Sequence, residues 1–247
     1  MLTSRVHQLL AAVLSEHRTN GRGRTLPDVL CEACAAQLPV SGVGMILMGQ
    51  TGPEVLVAAT DGPATVLEQL QLSLGEGPCV DASTWGRPVL QPDLRRTGPG
   101  RWPGFGPAAL EAGIEAVFAF PLQVGGIRLG VLDLYRDVPG TLGAAELREA
   151  LSFADAATWV VLHLQEQMRS HPVGALHPDL TDHDQHRPAV HQATGMISVQ
   201  AAVGLVEALL LLRARAYATD RGILEVARDV LSRRLRFTPE AGMNPVD

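Results

Sequence analysis

The chain has 247 residues, 46% hydrophobic and 19% charged, which suits one large or two small domains with a proper buried core. No apolar run approaches the ~18 residues of a membrane span. The first residues lack the apolar stretch of a signal peptide, so a cytoplasmic protein is expected. The net charge of −6 is unevenly spread. Residues 1–185 carry 12 Arg and 20 acids, a net −8. Residues 186–240 carry 8 Arg and 5 acids, a net +3, and Asp247 completes the total. Phosphate affinity follows the local patch rather than the sum, so a basic C-terminal segment on an acidic body is compatible with nucleic-acid binding.

Val6, Leu9, Leu10, Val13 and Leu14 have helical spacing over residues 1–24. Pro27 then opens a second helical pattern with Val29, Leu30, Cys34 and Leu38 on one face. Val43–Met48 and Val55–Thr60 read as strands joined by a Gly/Pro turn. A helical piece, Ala64–Leu72, leads into a Gly/Pro-rich stretch, Gly75–Pro107, expected as a long loop. The strongest hairpin signal follows, with Glu115–Val124 and Ile127–Tyr135 flanking Gly125-Gly126. From Gly143 to Met168 the spacing is helical and close to heptad. This order predicts an α+β fold, an antiparallel sheet with helices on one face. Residues 169–186 read as a linker rich in Pro, His and Asp.

Three short helical patterns follow, about Ala189–Gln200, Leu205–Thr219 and Ile223–Leu235. Small residues at their crossings suit a compact three-helix bundle. At about 50 residues its core is marginal alone, so docking on a longer coiled coil or a dimer partner is expected to help.

Cys31 and Cys34 form a CxxC, but it sits inside a helical pattern with no second pair, so two buried small hydrophobes are the expectation. The loose cluster of His171, His177, His183, His186 and His191 matches no metal-ligand spacing and reads as a solvated linker. Paired carboxylates at a defined spacing, a Ser/His/Asp order and a phosphate loop are missing. No catalytic residue, cofactor or metal is assigned, and the chain is expected not to be an enzyme.

Two resemblances supply sites. Leu74-Gly75-Glu76-Gly77-Pro78-Cys79-Val80-Asp81-Ala82, Arg101-Trp102-Pro103, Phe118–Leu122 and Gly130–Tyr135 resemble a GAF sensor domain over about residues 25–168. The resemblance implies a regulator with a pocket for an unknown small molecule. The candidate pocket residues are Cys79, Asp81, Trp85, Trp102, Phe118, Phe120 and Asp133. Val190–Ile197, Glu207-Ala208-Leu209 with Leu212–Ala216, and Leu224–Ala227 with Val230 resemble the ANTAR family of transcription-antitermination modules, in that family's motif order. That implies a three-helix domain over residues 187–240 binding leader RNA hairpins, and the helix Leu147–Met168 is expected to join the chain into a homodimer. The candidate RNA contacts are Arg187, His191, Gln192, Thr194, Gly195, Arg213, Arg215, Tyr217 and Arg228, because Arg and Tyr stack on unpaired bases or hydrogen-bond to them. Thr194 stands where many members carry Lys. Arg213 and Tyr217, four apart, are expected on one face. Gly195 is read as a close-packing position. Two alternatives stand beside this reading. One is a Cys-dependent reductase of free methionine sulfoxide, which needs a reactive Cys79. The other is a DNA-binding regulator, disfavoured because the third helical pattern has Arg but no Asn or Gln.

Overall fold

The β-type runs pair into one antiparallel sheet. Its strands are β1 (Gly42–Gly49), β2 (Gly52–Ala59), β3 (Val89–Gln91), β4 (Ala116–Val124) and β5 (Ile127–Arg136), in the order β2-β1-β5-β4-β3. The computed structural model describes residues 3–20, 23–49, 52–167, 178–180, 187–219 and 221–238, which divide into units at Met1–Asp184 and Gln185–Asp247. Among the described residues no helix is long and apolar enough to cross a membrane.

Side chains alternate across the pleat, so each strand serves two cores. Val43, Met45, Phe118, Phe120, Leu132 and Leu134 face α1 (Ser4–Asn20), α2 (Leu26–Gln37) and α7 (Ala144–Gln167). Ile46, Val117, Ala119, Val131 and Tyr135 face α3 (Gly62–Leu74), α4 (Pro78–Trp85), α5 (Leu94–Arg101) and α6 (Phe105–Glu111). Helices therefore cover both faces, which corrects the expectation of one. Nearly every residue of β1 is buried, as a strand covered on both sides requires.

The second correction has the same origin. The stretch expected as a loop, Gly75–Pro107, contains α4, β3, α5 and the start of α6. Its Gly and Pro residues mostly punctuate these elements. Gly75 and Gly86 take φ of 67° and 64° as left-handed helix caps, and Pro78 occupies a first turn. Helix starts are marked by side chains. Thr25 and Asp28 form a reciprocal capping box on α2, and Asp61 accepts from the Ala64 N–H at 2.7 Å on α3.

Most of the linker falls outside the described residues, including His171, His177, His183 and His186. Pro178–Leu180 form a short 3-10 turn whose Leu180 is fully buried in the core of α1, α2 and α7. That anchor lies in a segment with no periodic apolar face.

The C-terminal unit packs α8 (Arg187–Ala201), α9 (Leu205–Ala218) and α10 (Ile223–Leu231) around Ala193, Ile197, Ala208, Leu212, Val226 and Val230. The third helix stops four residues earlier than its spacing predicts. Arg233 turns to φ 61°, its N–H donates to Val230 O at 3.0 Å, and the Arg234 N–H donates to Asp229 O at 2.8 Å. This is a Schellman cap carrying Arg at the left-handed position. The Phe237 N–H donates to Gln200 Oε1 at 3.0 Å and ties the following residues to α8.

Leu180→Ala is expected to destabilise the first unit by about 2–4 kcal/mol, as a buried truncation does. Urea unfolding measures it, and a loss below about 0.5 kcal/mol would show that Leu180 is not part of that core. Arg233→Gly is expected to stabilise the second unit by about 1 kcal/mol, by relieving the left-handed strain.

Candidate functional sites

Asp133 sits mid-strand in β5, opposite Gly44 of β1 and Ala119 of β4. Neither neighbour projects more than a methyl group, so the sheet surface beside Asp133 is left low. Glu68 of α3 lies across it. A Cβ added to Gly44 would come within 2.8 Å of Glu68 Cγ, so only glycine allows this approach. Both carboxyls are fully buried. Gln71, one turn along α3, donates through Nε2 to Asp133 Oδ2 at 2.7 Å and to Glu68 Oε2 at 3.3 Å. Its Oε1 accepts the Cys79 N–H at 2.7 Å. One amide thus ties helix α3, strand β5 and the start of α4 together.

Gln71 thereby holds the two carboxyls side by side. Burial, then the Asp133 charge, holds the Glu68 carboxyl well above its ordinary range. Burial pushes Asp133 up to about 7, against the pull of the hydrogen bonds from Gln71 and Glu68. Among the described residues, Glu68 Oε1 and Asp133 Oδ1 receive no N–H or hydroxyl donor.

The turn from α5 into α6 packs into the same core. Trp102 is 3% exposed and meets Phe105 edge-on, with ring centroids 5.9 Å apart. Two acids pin this turn. Asp81 accepts from Arg101 at 2.8 Å and from Trp102 Nε1 at 3.2 Å. Glu76 Oε1 accepts the Gly104 and Phe105 N–H groups at 2.6 Å each. Arg101 also stacks on Trp85 and Trp102, at 4.9 and 4.5 Å from the ring centroids.

The expected pocket residues therefore separate. Cys79, Asp133 and Trp102 share one core with Asp81 at its rim, while Trp85 is 48% exposed at the surface. Phe118 and Phe120 are corrected to the opposite face, because their register with Leu134 and Leu132 points them at α7 and α1. Sequence reasoning missed Glu68 and Gln71. Their one signal was two polar residues, i and i+3, on the buried side of an otherwise apolar helical pattern. Cys79 is fully buried, and burial holds its thiol well above the ordinary range, opposite to what a nucleophile needs. Cys31 and Cys34 are buried free thiols inside α2.

In the C-terminal unit His191, Gln192, Arg215, Tyr217 and Arg228 are exposed. Two expected contacts turn inward instead. Thr194 is 7% exposed and donates to Val190 O at 2.8 Å, and Arg213 is 7% exposed. Arg213 and Tyr217 therefore do not form one open face, since Tyr217 is 64% exposed. Gly195 is not a close-packing position, because an added Cβ meets nothing within 4 Å. The Arg187 side chain lies outside the described atoms. Asp229 pairs with Arg221 at 2.6 Å and with Arg234 at 2.8 Å, which removes two of the eight guanidiniums from the candidate surface.

Residues 24–162, more than half of the chain, match the family model described as GAF domain. The chain belongs to the GAF domain family. No curated protein matches it. Among solved structures, the GAF domain of an Acinetobacter phosphoenolpyruvate-protein phosphotransferase is 12% identical with TM-score 0.48, covering 66% of this chain and 96% of that one. A type II free methionine-R-sulfoxide reductase from Thermoplasma acidophilum is 16% identical with TM-score 0.45, covering 63% and 96%. The GAF domain of a Coxiella burnetii phosphoenolpyruvate-protein phosphotransferase is 16% identical with TM-score 0.44, covering 67% and 98%.

The acid pair gives the GAF unit a definite pH response. The folded state holds a proton that the unfolded chain has already lost. The resulting stability is complete below the ordinary carboxylate range and drains away as pH rises through about 7. Melting temperature is expected to fall between about pH 5 and about pH 8, and to fall less in Asp133→Asn. Parallel profiles for the two proteins would rule the pair out as the source. Gly44→Ala is expected to destabilise the unit by about 1–3 kcal/mol, because Glu68 must leave its place.

Proposed function

We propose that this chain is a signal-responsive regulator. Its C-terminal three-helix unit binds RNA hairpins and antiterminates transcription under the control of the GAF unit. The observation that carries the reading is how the C-terminal motif residues divide. Ala193, Ile197, Ala208, Leu212, Val226 and Ala227 supply the core, while His191, Gln192 and Arg215 stand at the surface, as do Tyr217 and Arg228, which directly follow motif pieces. Tyr217 offers a stacking plane, Arg215 and Arg228 offer donors to phosphates and base edges, and the local charge is positive. Antitermination by hairpin capture is the role implied by the ANTAR resemblance, and a homodimer would present two such surfaces to paired hairpins.

The GAF unit supplies the input. A signal can shift the regulator only if it binds two arrangements of the protein with different affinity. The buried thiol of Cys79 gives no support to a reductase.

Filter binding of the full chain to a paired-hairpin leader RNA at low salt is the direct test. Tight, salt-sensitive binding is expected, weakened roughly tenfold by Tyr217→Ala or Arg215→Ala, the loss of about one stacked or charged contact. Absence of binding by the dimer at low salt would overturn the reading.

A further inference from the structure

We infer that Arg233 and Arg236, on the turn that ends α10, grip RNA phosphates and give the C-terminal unit a backbone-binding site. The inference rests on the reading of this unit as an RNA binder and adds the residues that hold the RNA backbone.

Residues 221–236 carry five Arg. Asp229 takes two of them, Arg221 at 2.6 Å and Arg234 at 2.8 Å. Arg228, Arg233 and Arg236 are exposed and meet no carboxylate among the described residues. Arg233 also stands in the left-handed region, at φ 61°. That position of a Schellman cap suits Gly, because a Cβ there crowds the following carbonyl. A cation needed only for the helix dipole could sit one residue earlier, at the exposed Ser232, whose φ of −78° is unstrained. Strain kept where Gly would relieve it points to a use of the side chain. Ala202, after α8, is the other non-glycine in this conformation among the described residues, at φ 55°. Its methyl group can grip no phosphate, so it serves as a control for strain alone. The turn after α10 is also firmly held. The Arg233 N–H donates to Val230 O at 3.0 Å, and the Arg234 and Leu235 N–H groups donate to Asp229 O at 2.8 and 3.1 Å. These bonds occupy carbonyls that would otherwise repel a phosphate at a helix end. Leu235 and Phe237 pack against the core, and Gln200 Oε1 accepts the Phe237 N–H at 3.0 Å. Arg236 lies between these two anchors and is exposed. A backbone fixed before binding loses less entropy when a contact forms. The guanidinium fork matches a phosphate's oxygens in pairs, and residues 186–240 carry a net +3, so the fitting partner is an RNA backbone.

The test is filter binding by the full chain across a salt series, with a paired-hairpin leader RNA and an RNA duplex of unrelated sequence. Arg233→Asn keeps a residue that tolerates the left-handed turn and removes the charge. It is expected to weaken both RNAs about fivefold and to lower the salt slope by about 1, since a phosphate contact carries no sequence information. Arg236→Ala is expected to act alike, and the double variant to lower the slope by about 2. Arg233→Lys keeps the charge and should hold the slope near that of the wild type. Arg233→Gly is expected to raise the melting temperature of the C-terminal unit and still lose affinity. Ala202→Gly should raise the melting temperature and leave affinity and slope unchanged. A gain in stability joined to a loss in binding is not the signature of a helix cap. Wild-type affinity and slope in Arg233→Asn and Arg233→Gly would overturn the proposal. So would an equal loss in Ala202→Gly, which would trace the effect to the backbone. Leader binding that these variants leave intact sinks this proposal alone. Losses on the unrelated duplex, with no preference of the wild type for the leader, sink only the regulator reading. No binding to either RNA sinks both.

Discussion

A carboxylate in the middle of a sheet covered by helices on both faces has no water to turn to. Asp133 is in that position, and much of the GAF unit is arranged around it. Glu68 brings a second acid and the proton that makes the pair tolerable. Gln71 brings the N–H groups and spends its carbonyl on the Cys79 backbone, which starts α4. Gly44 and Ala119 keep the flanking strands low enough for Glu68 to lie across. Remove the polar knot and the placement of α3 on the sheet loses its register, because the apolar packing that Leu67, Ile46 and Val131 share in this core is not directional.

The opposite face shows the contrast. There Phe118, Phe120 and Phe153 belong to an apolar core shared by the sheet and α7. That face is a packing surface built from α1, α2 and α7, and Leu180 completes it. Stability and chemistry are thus divided between two faces of one sheet, with β5 contributing alternate residues to each.

Much of this was legible in the sequence where a repeating period or a turn dictates structure. The β4–β5 hairpin, the long helix after Gly143 and the three C-terminal helices follow from apolar spacing and glycine turns. The Gly75–Pro107 stretch was not legible as helix, because short helices capped by Gly and opened by Pro resemble a loop in composition. The face of Phe118 and Phe120 required the pairing register, since one residue of shift exchanges the two sides of a strand. Asp133 was picked out through resemblance, but Glu68 and Gln71 gained meaning only when α3 was laid over Gly44. In the C-terminal unit, helical spacing predicted a shared face for Arg213 and Tyr217. Packing against the other helices decided which of the two reaches solvent.

The bond from the Cys79 N–H to Gln71 has one further consequence. Gln71 holds its amide hydrogens on the acids and its oxygen on that backbone group, so charge at one end polarises the other. Ionisation of Asp133 strengthens the pull on the Gln71 hydrogens and alters the electron density at its oxygen. The backbone amide of Cys79 is therefore a built-in spectroscopic gauge of the core, whose proton resonance reports the charge state of a pair of carboxyls it never touches.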